Sequence, residues 1–281
     1  MTREIVTHQI EEGGLLLAYG KRVSGDPRVE REVLTGNGQG ERVSSGKGTL
    51  IPIGGGATDA NLRVVTDRIG EGRGLTIITV PTQMPEQVYA EYSKRFLSVG
   101  TLEQPYHLGE HTIPEEADAM FRLSGGVFIT GGDQVRARDI LVANQWDKKL
   151  HDFYNANADN VISGTSAGAH VQSGVTSFNN EVTTGIGLVD TVSFESHNDK
   201  RGRNVRQRDV VEMTGVDSIG LGEGTGVIYQ RSGKVEAFGQ GSVNVVWQVN
   251  GHQDSKLIRD GDMVNLHALP RMHLPRHVSS I

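Results

Sequence analysis

The chain has 281 residues, with 28 Lys+Arg against 34 Asp+Glu and no cysteine. That length suits one large domain or two small ones, and the lack of cysteine excludes disulfides, thiolate zinc sites and a cysteine nucleophile. No run approaches the ~20 apolar residues of a membrane span, and a net charge of -6 argues against a general nucleic-acid surface.

Residues 1–10 mix charge with apolar side chains and lack the apolar stretch of a signal peptide, so a cytoplasmic location is expected. Residues 1–45 read as an N-terminal extension. It holds one strand at 14–20 and leads into a polar stretch punctuated by Gly36, Gly38, Gly40, Gly46 and Gly48, with too few apolar residues for a core of its own. The rest, 46–281, reads as one α/β domain. An apolar strand at 49–53 ends in Gly54-Gly55-Gly56, and a second at 75–80 is stopped by Pro81. An amphipathic helix follows at 87–99, then a strand at 126–130 ending in Gly131-Gly132. Helices are predicted at 134–144 and 146–156, and a further strand at 160–163. Short apolar strands, each followed by glycine and a helix, indicate a parallel sheet with helices on both faces. Ligands bind such sheets at the carboxyl ends of the strands. Beyond 226 the strands at 226–229, 235–238 and 243–247 are separated by Gly and Ser, which suggests added C-terminal β-hairpins.

Gly164-Thr165-Ser166-Ala167-Gly168 fits the G-x-S-x-G nucleophile elbow. Small neighbours let the backbone turn sharply and push the hydroxyl into the open, and the amide of Ala167 then points into the site as an oxyanion donor. The bland alternative is a Gly/Ser turn in a glycine-rich chain. A serine nucleophile needs a base and a group to orient it. His170 lies one turn past Ser166 and is expected to point away. The order of an α/β-hydrolase would select a late histidine, His267 or His273, but the upstream HGGG-type loop of that class is missing.

Other signals are weaker. His107-Leu108-Gly109-Glu110-His111 matches an inverted zinc-protease pattern, but Gly109 and the flanking Pro105 and Pro114 oppose the helix it needs. Gly54-Gly55-Gly56-Ala57-Thr58-Asp59 lacks the third glycine of a dinucleotide loop, and Gly46-Lys47-Gly48 lacks the Walker spacing. No metal or cofactor is expected. The basic run 200–208 reads by default as a solvated face, and its lack of aromatics argues against nucleic acid.

Five segments in one order resemble the cyanophycinases, serine peptidases related to the aspartyl dipeptidase peptidase E. They are Ile129-Thr130-Gly131-Gly132-Asp133-Gln134, then Gly164-Thr165-Ser166-Ala167-Gly168-Ala169, then Phe194-Glu195-Ser196-His197 with Arg201, Arg203 and Arg206. Ser218-Ile219-Gly220-Leu221-Gly222-Glu223-Gly224-Thr225 and Val235-Glu236-Ala237-Phe238-Gly239-Gln240-Gly241 complete the set. The resemblance spans roughly residues 49–247. It implies a flavodoxin-like sheet similar to class I glutamine amidotransferases, with Ser166 as nucleophile, His197 as general base and acid, and Glu223 as the orienting carboxylate. Gly132 and Ala167 would supply oxyanion amides. Asp133, Gln134, Glu195, Ser196, Arg201, Arg203 and Arg206 would contact the substrate, cyanophycin or another β-aspartyl peptide, and the working form would be a homodimer. Glu195 or Asp199 remain alternative partners for His197. The chain departs from the family at Glu195-Ser196, where the family has Asp-Gln, and at Asn198, where it usually has an aromatic. The competing functions are a peptidase E-like aspartyl dipeptidase, an esterase built on His267 or His273, and a non-enzymatic binder of acidic polymer using residues 201–208.

Overall fold

In the computed structural model, residues 48–101, 103–179, 181–200 and 203–270 are described. The extension 1–45 with its expected strand, Arg201 and His273 lie outside them. The first half alternates strand and helix: β1 (Thr49–Ile53), α1 (Asp59–Ile69), β2 (Gly74–Ile78), α2 (Pro85–Val99), β3 (Tyr106–Leu108), α3 (Pro114–Leu123) and β4 (Ser124–Ile129). It continues with α4 (Gln134–Ala143), α5 (Trp146–Ala156), β5 (Val161–Thr165) and the short α6 (Ala167–His170). Strands β1, β5, β4, β2 and β3 lie side by side in that order, all parallel.

Side chains alternate across this sheet and both faces are buried. Leu50, Ile78, Val127, Ile129 and Ile162 pack with Met120, Leu141, Trp146 and Leu150 from α3, α4 and α5. Ile51, Ile53, Ile77 and Phe128 face the other way, onto Leu62, Val65 and Phe96 of α1 and α2. This is why the strands read as continuous apolar runs. Each fully buried aliphatic side chain contributes about 1.5–3 kcal/mol. Local signals set the helix starts. Thr58 and Asn61 form a reciprocal capping box on α1, and proline opens α2 and α3. Pro114 therefore begins a helix rather than merely ending a loop.

The second half adds β6 (Val175–Phe178), β7 (Glu181–Thr184), β8 (Val192–Ser196), α7 (Asn204–Thr214), β9 (Asp217–Leu221), β10 (Thr225–Gln230) and β11 (Lys234–Gly239). It closes with β12 (Val243–Val249), β13 (His252–Ile258) and β14 (Met263–Asn265). Strands β10, β11 and β14 extend the parallel sheet antiparallel from β1 to make eight strands. Strand β12 does not pair with β11 but joins a second sheet, β13-β12-β9-β8. The chain thus changes sheet between Gly239 and Val243. The expected C-terminal hairpins exist, as β10–β11 and β12–β13, but in two different sheets. The result is a flavodoxin-like α/β fold whose parallel strand ends converge on one edge.

Helix α6 lies against the parallel strands so tightly that a Cβ on Gly168 would fall 2.1 Å from Ile129 O. Gly168→Ala should therefore cost about 1–3 kcal/mol of stability, read as a lower urea midpoint. An unchanged midpoint would mean that α6 can lift off β4.

Candidate active site

Three consecutive carbonyls at the end of β1 gather three distant segments. Ser166 N donates to Ile53 O (2.9 Å), His197 N to Gly54 O (2.7 Å) and Gly224 N to Gly55 O (2.8 Å). Ser166 sits between β5 and α6 at φ 53° and ψ -112°, a conformation that L-residues rarely adopt and that turns the hydroxyl out of the sheet. His197 also has positive φ, 55°. Its Nε2 lies 2.8 Å from Ser166 Oγ, and its Nδ1 lies 3.0 Å from Glu223 Oε1. Lys200 Nζ donates to the other oxygen of Glu223 at 2.6 Å, and Glu223 N donates to Asp199 Oδ1. The Lys200 ammonium, then the His197 ring, hold the Glu223 carboxyl below its usual range. An ionised carboxylate can only accept, so Nδ1 carries the ring proton and Nε2 faces Ser166 as an acceptor. Gly55 makes room for the ring: a Cβ there would stand 2.3 Å from His197 Cε1, at φ +121°.

The Gly131–Gly132 turn borders Ser166, with a Cβ on Gly131 falling 3.5 Å from that of the serine. Among the described residues, no backbone carbonyl accepts from the amides of Gly132 or Ala167. Asp133 caps α4 by accepting from Val135 N and Arg136 N, and Gln134 Nε2 donates to Ser177 O. Arg203 precedes α7 and donates to Ser196 O (3.3 Å). Half-buried Arg206 lines a cleft of about 110 Å³ with Ser177 of β6 and Asp209 of α7. The run 204–208 is helical, and Gln207 within it is fully buried, bonded to Ser218 O and Asn244 O.

Glu195 and Ser196 do not open into this site. Both lie on β8 with no exposed surface, because their polar atoms are occupied internally. Glu195 accepts from Ser177 N and Oγ, Ser193 Oγ and Thr176 Oγ1. Ser196 bonds His170, which is itself buried and also contacts Thr176. Asp199 reaches the backbone of Glu223, not the His197 ring. His267 packs on the Gly233 turn between β10 and β11. That turn lies at the Thr49 end of β1, opposite Ser166, since Thr49 pairs with Gln230 and Ile53 with Gly226. His107 stands on β3, not on a helix, bonded to Thr79 and stacked on Tyr89. No group of three or more His, Asp or Glu suited to a metal occurs among the described residues, and no helix there is long and apolar enough to cross a membrane. Sequence reasoning missed Lys200 and His170. Lys200 was hidden inside a basic run, although its place three residues after His197 was a usable signal.

No family model matches the chain. Curated relatives are cyanophycinases. That of Synechococcus elongatus is 26% identical over 225 residues, 72% of this chain and 69% of the relative. That of Nostoc sp. is 28% identical over 224 residues, 70% and 73%. The crystal structure of a peptidase from an acI-B1 Actinobacterium matches with TM-score 0.61 at 15% identity, over 79% of this chain and 98% of that one. A putative peptidase E protein from Listeria monocytogenes EGD-e matches with TM-score 0.55 at 18% identity, over 69% and 100%. These structures share the fold. Fold and relatives together define the chain as a peptidase enzyme. Within that class its sequence relationship, a distant one, is to the cyanophycinases.

Two outcomes follow from this geometry. Gly55→Ala forces either a strained backbone or a displaced His197 ring, so turnover should fall roughly 100-fold while thermal unfolding shows a folded protein. Full turnover would show that the ring has room to move. The second concerns acid. Burial, then the charges of Arg203, His197 and Arg206, lower the His170 pKa from 6.5 to about 3. The unfolded chain therefore takes up a proton that the folded one refuses. Stability attributable to His170 is complete above its unfolded pKa of 6.5 and is lost as pH falls toward about 3, at up to about 1.4 kcal/mol per pH unit. Burial raises the Glu195 carboxyl, which acts in the opposite sense as pH falls. Urea midpoints of His170→Gln should thus decline less steeply than those of the parent below about pH 6.5. Equal slopes would mean that protons reach the folded ring.

Proposed function

We propose that the chain is a serine peptidase of the cyanophycinase type, releasing β-Asp-Arg dipeptides from multi-L-arginyl-poly-L-aspartate through Ser166, His197 and Glu223. The observation that carries this reading is the unbroken hydrogen-bonded line from Ser166 Oγ through both His197 nitrogens to Glu223. Ser166 Oγ attacks the aspartyl carbonyl as Nε2 takes its proton. The imidazolium that forms is stabilised by Glu223, and the oxyanion meets the amides of Gly132 and Ala167. His197 then protonates the leaving amine, and water, deprotonated by the same ring, resolves the acyl-enzyme. Half-buried Arg206, with Arg203 beside it, supports recognition of substrate carboxylates, which guanidinium forks bind bidentately. The proposal includes a catalytic unit at 46–281 and action in the cytoplasm, and the resemblance adds a homodimer.

The test is incubation of the purified protein with insoluble cyanophycin, with products read by mass spectrometry. Release of β-Asp-Arg is expected, and Ser166→Ala should reduce it by about six orders of magnitude with the fold intact. Undiminished release by Ser166→Ala would overturn the mechanism. Cleavage of short aspartyl peptides without release from the polymer would move the substrate to the peptidase E class.

A further inference from the structure

His170 is the fourth residue after Ser166, at the end of the helix that the serine opens, and its own amide bonds Ser166 O at 3.1 Å. Its ring is buried to 1% exposure. One nitrogen, Nε2, receives the backbone N–H of Ser196 at 2.9 Å and lies 2.7 Å from Ser196 Oγ. An amide can only donate, so Nε2 must hold a lone pair and the ring proton must sit on Nδ1. Nδ1 then donates to Thr176 Oγ1 at 2.7 Å, and Thr176 Oγ1 donates onward to Glu195 Oε1. The ring is neutral in this arrangement, so its 3.8 Å approach to Glu195 is not an ion pair.

Ser196 is the residue immediately before His197, and its amide is held by an imidazole where a strand would normally use a carbonyl. We infer that His170 is a positioning residue: it ties the helix bearing Ser166 to the strand that delivers His197, and so sets the distance from hydroxyl to base. The inference rests on the proposed roles of Ser166 and His197. It goes beyond them in giving a second histidine, unexposed and out of reach of substrate, a share in the geometry. The groups facing His170 are Glu195 on β8, His197, and Arg203 and Arg206 at α7. Burial first, and then the guanidinium charges nearby, keep the ring from taking a second proton, which would remove the lone pair that Ser196 N–H requires.

The test exploits side-chain length. In His170→Asn the amide lies near the position of Nδ1, so it keeps the contact with Thr176 but falls short of Ser196. In His170→Gln the terminal oxygen lies near Nε2 and can accept from Ser196 N. Thermal unfolding first establishes that both are folded. The readouts are the second-order rate of fluorophosphonate labelling at Ser166, and kcat and KM on a soluble β-Asp-Arg oligomer. His170→Asn should slow labelling and lower kcat by roughly 10- to 100-fold with KM within about twofold, whereas His170→Gln should stay within about threefold of the parent. Equal rates in the two variants, or parental rates in His170→Asn, would overturn the assignment. If the parent labels at Ser166 but leaves the oligomer intact, the substrate reading fails, while the ratio of labelling rates still decides the positioning role. The ¹⁵N shifts of His170 in the parent give a check without any variant: a protonated Nε2 near neutral pH contradicts the inference.

Discussion

Everything at the site depends on three adjacent carbonyls, those of Ile53, Gly54 and Gly55, at the end of a strand that carries no reacting group. Each accepts one amide, from Ser166, His197 and Gly224 in turn. Ile53 ends the strand, and Gly54 and Gly55 carry the chain away from it, Gly55 at φ +121°, so these bonds fix the relative placement of hydroxyl, imidazole and carboxylate at the turn that leaves β1. The arrangement requires that segments approach β1 more closely than side chains allow. A Cβ on Gly54 would meet Gly222 O at 2.2 Å, and one on Gly55 would meet the imidazole. The glycine run is thus the condition for three chain segments to share one strand end.

Below this layer lies a polar floor in which Glu195, His170, Thr176, Ser177, Ser193 and Ser196 have almost no contact with solvent. A buried carboxylate is tolerable only when its oxygens are satisfied, and Glu195 has four donors for them. The floor binds β6, α6 and β8 together, three elements that share no continuous sheet. Through Ser177 it also reaches Gln134 and the cleft containing Arg206. The longer stem of Glu at 195 accordingly turns its carboxyl inward, onto the β6–β7 hairpin, and this support lies behind the cleft beside α7.

Legibility in the sequence followed physical locality. The strands at 49–53, 75–80 and 126–130 were readable because burial on both faces makes them continuous apolar runs, and α5 was readable from its repeat of Trp146, Leu150, Phe153 and Tyr154. Strand β13, His252–Ile258, was not, since an exposed edge strand needs no apolar alternation. Strand β8 escaped because its interior holds Ser193, Glu195 and Ser196, polar residues whose partners lie in other elements. Helix α7 was hidden by arginines on its solvated side. Ser166 declared itself through small neighbours, a purely local requirement. His197 and Glu223 lie 31 and a further 26 residues along the chain and meet it only through β1. Residue chemistry alone left His267 equally open until the register of β1 with β10 placed it at the far end of the sheet, and only resemblance had singled out His197.

The two ends of the hydrogen-bonded line live in different dielectric surroundings, and this divides labour between them. On the His170 side the groups are buried, so the interactions are strong, insensitive to salt and costly to disturb. On the Glu223 side the carboxylate is 27% exposed and its second partner, Lys200, 62% exposed. An ion pair so placed contributes little to folding and is screened by salt. Its effect on chemistry is more direct. Lys200 competes with the His197 ring for the same negative charge: it keeps Glu223 ionised, but it also offsets part of the attraction that would favour a protonated imidazole. In the proposed mechanism, where His197 must release its proton to the leaving amine, that balance is favourable, because too strong a carboxylate partner would hold the proton on the ring. On that reading geometry is set from the buried side and proton affinity from the exposed side, so ionic strength would tune the proposed base without moving it.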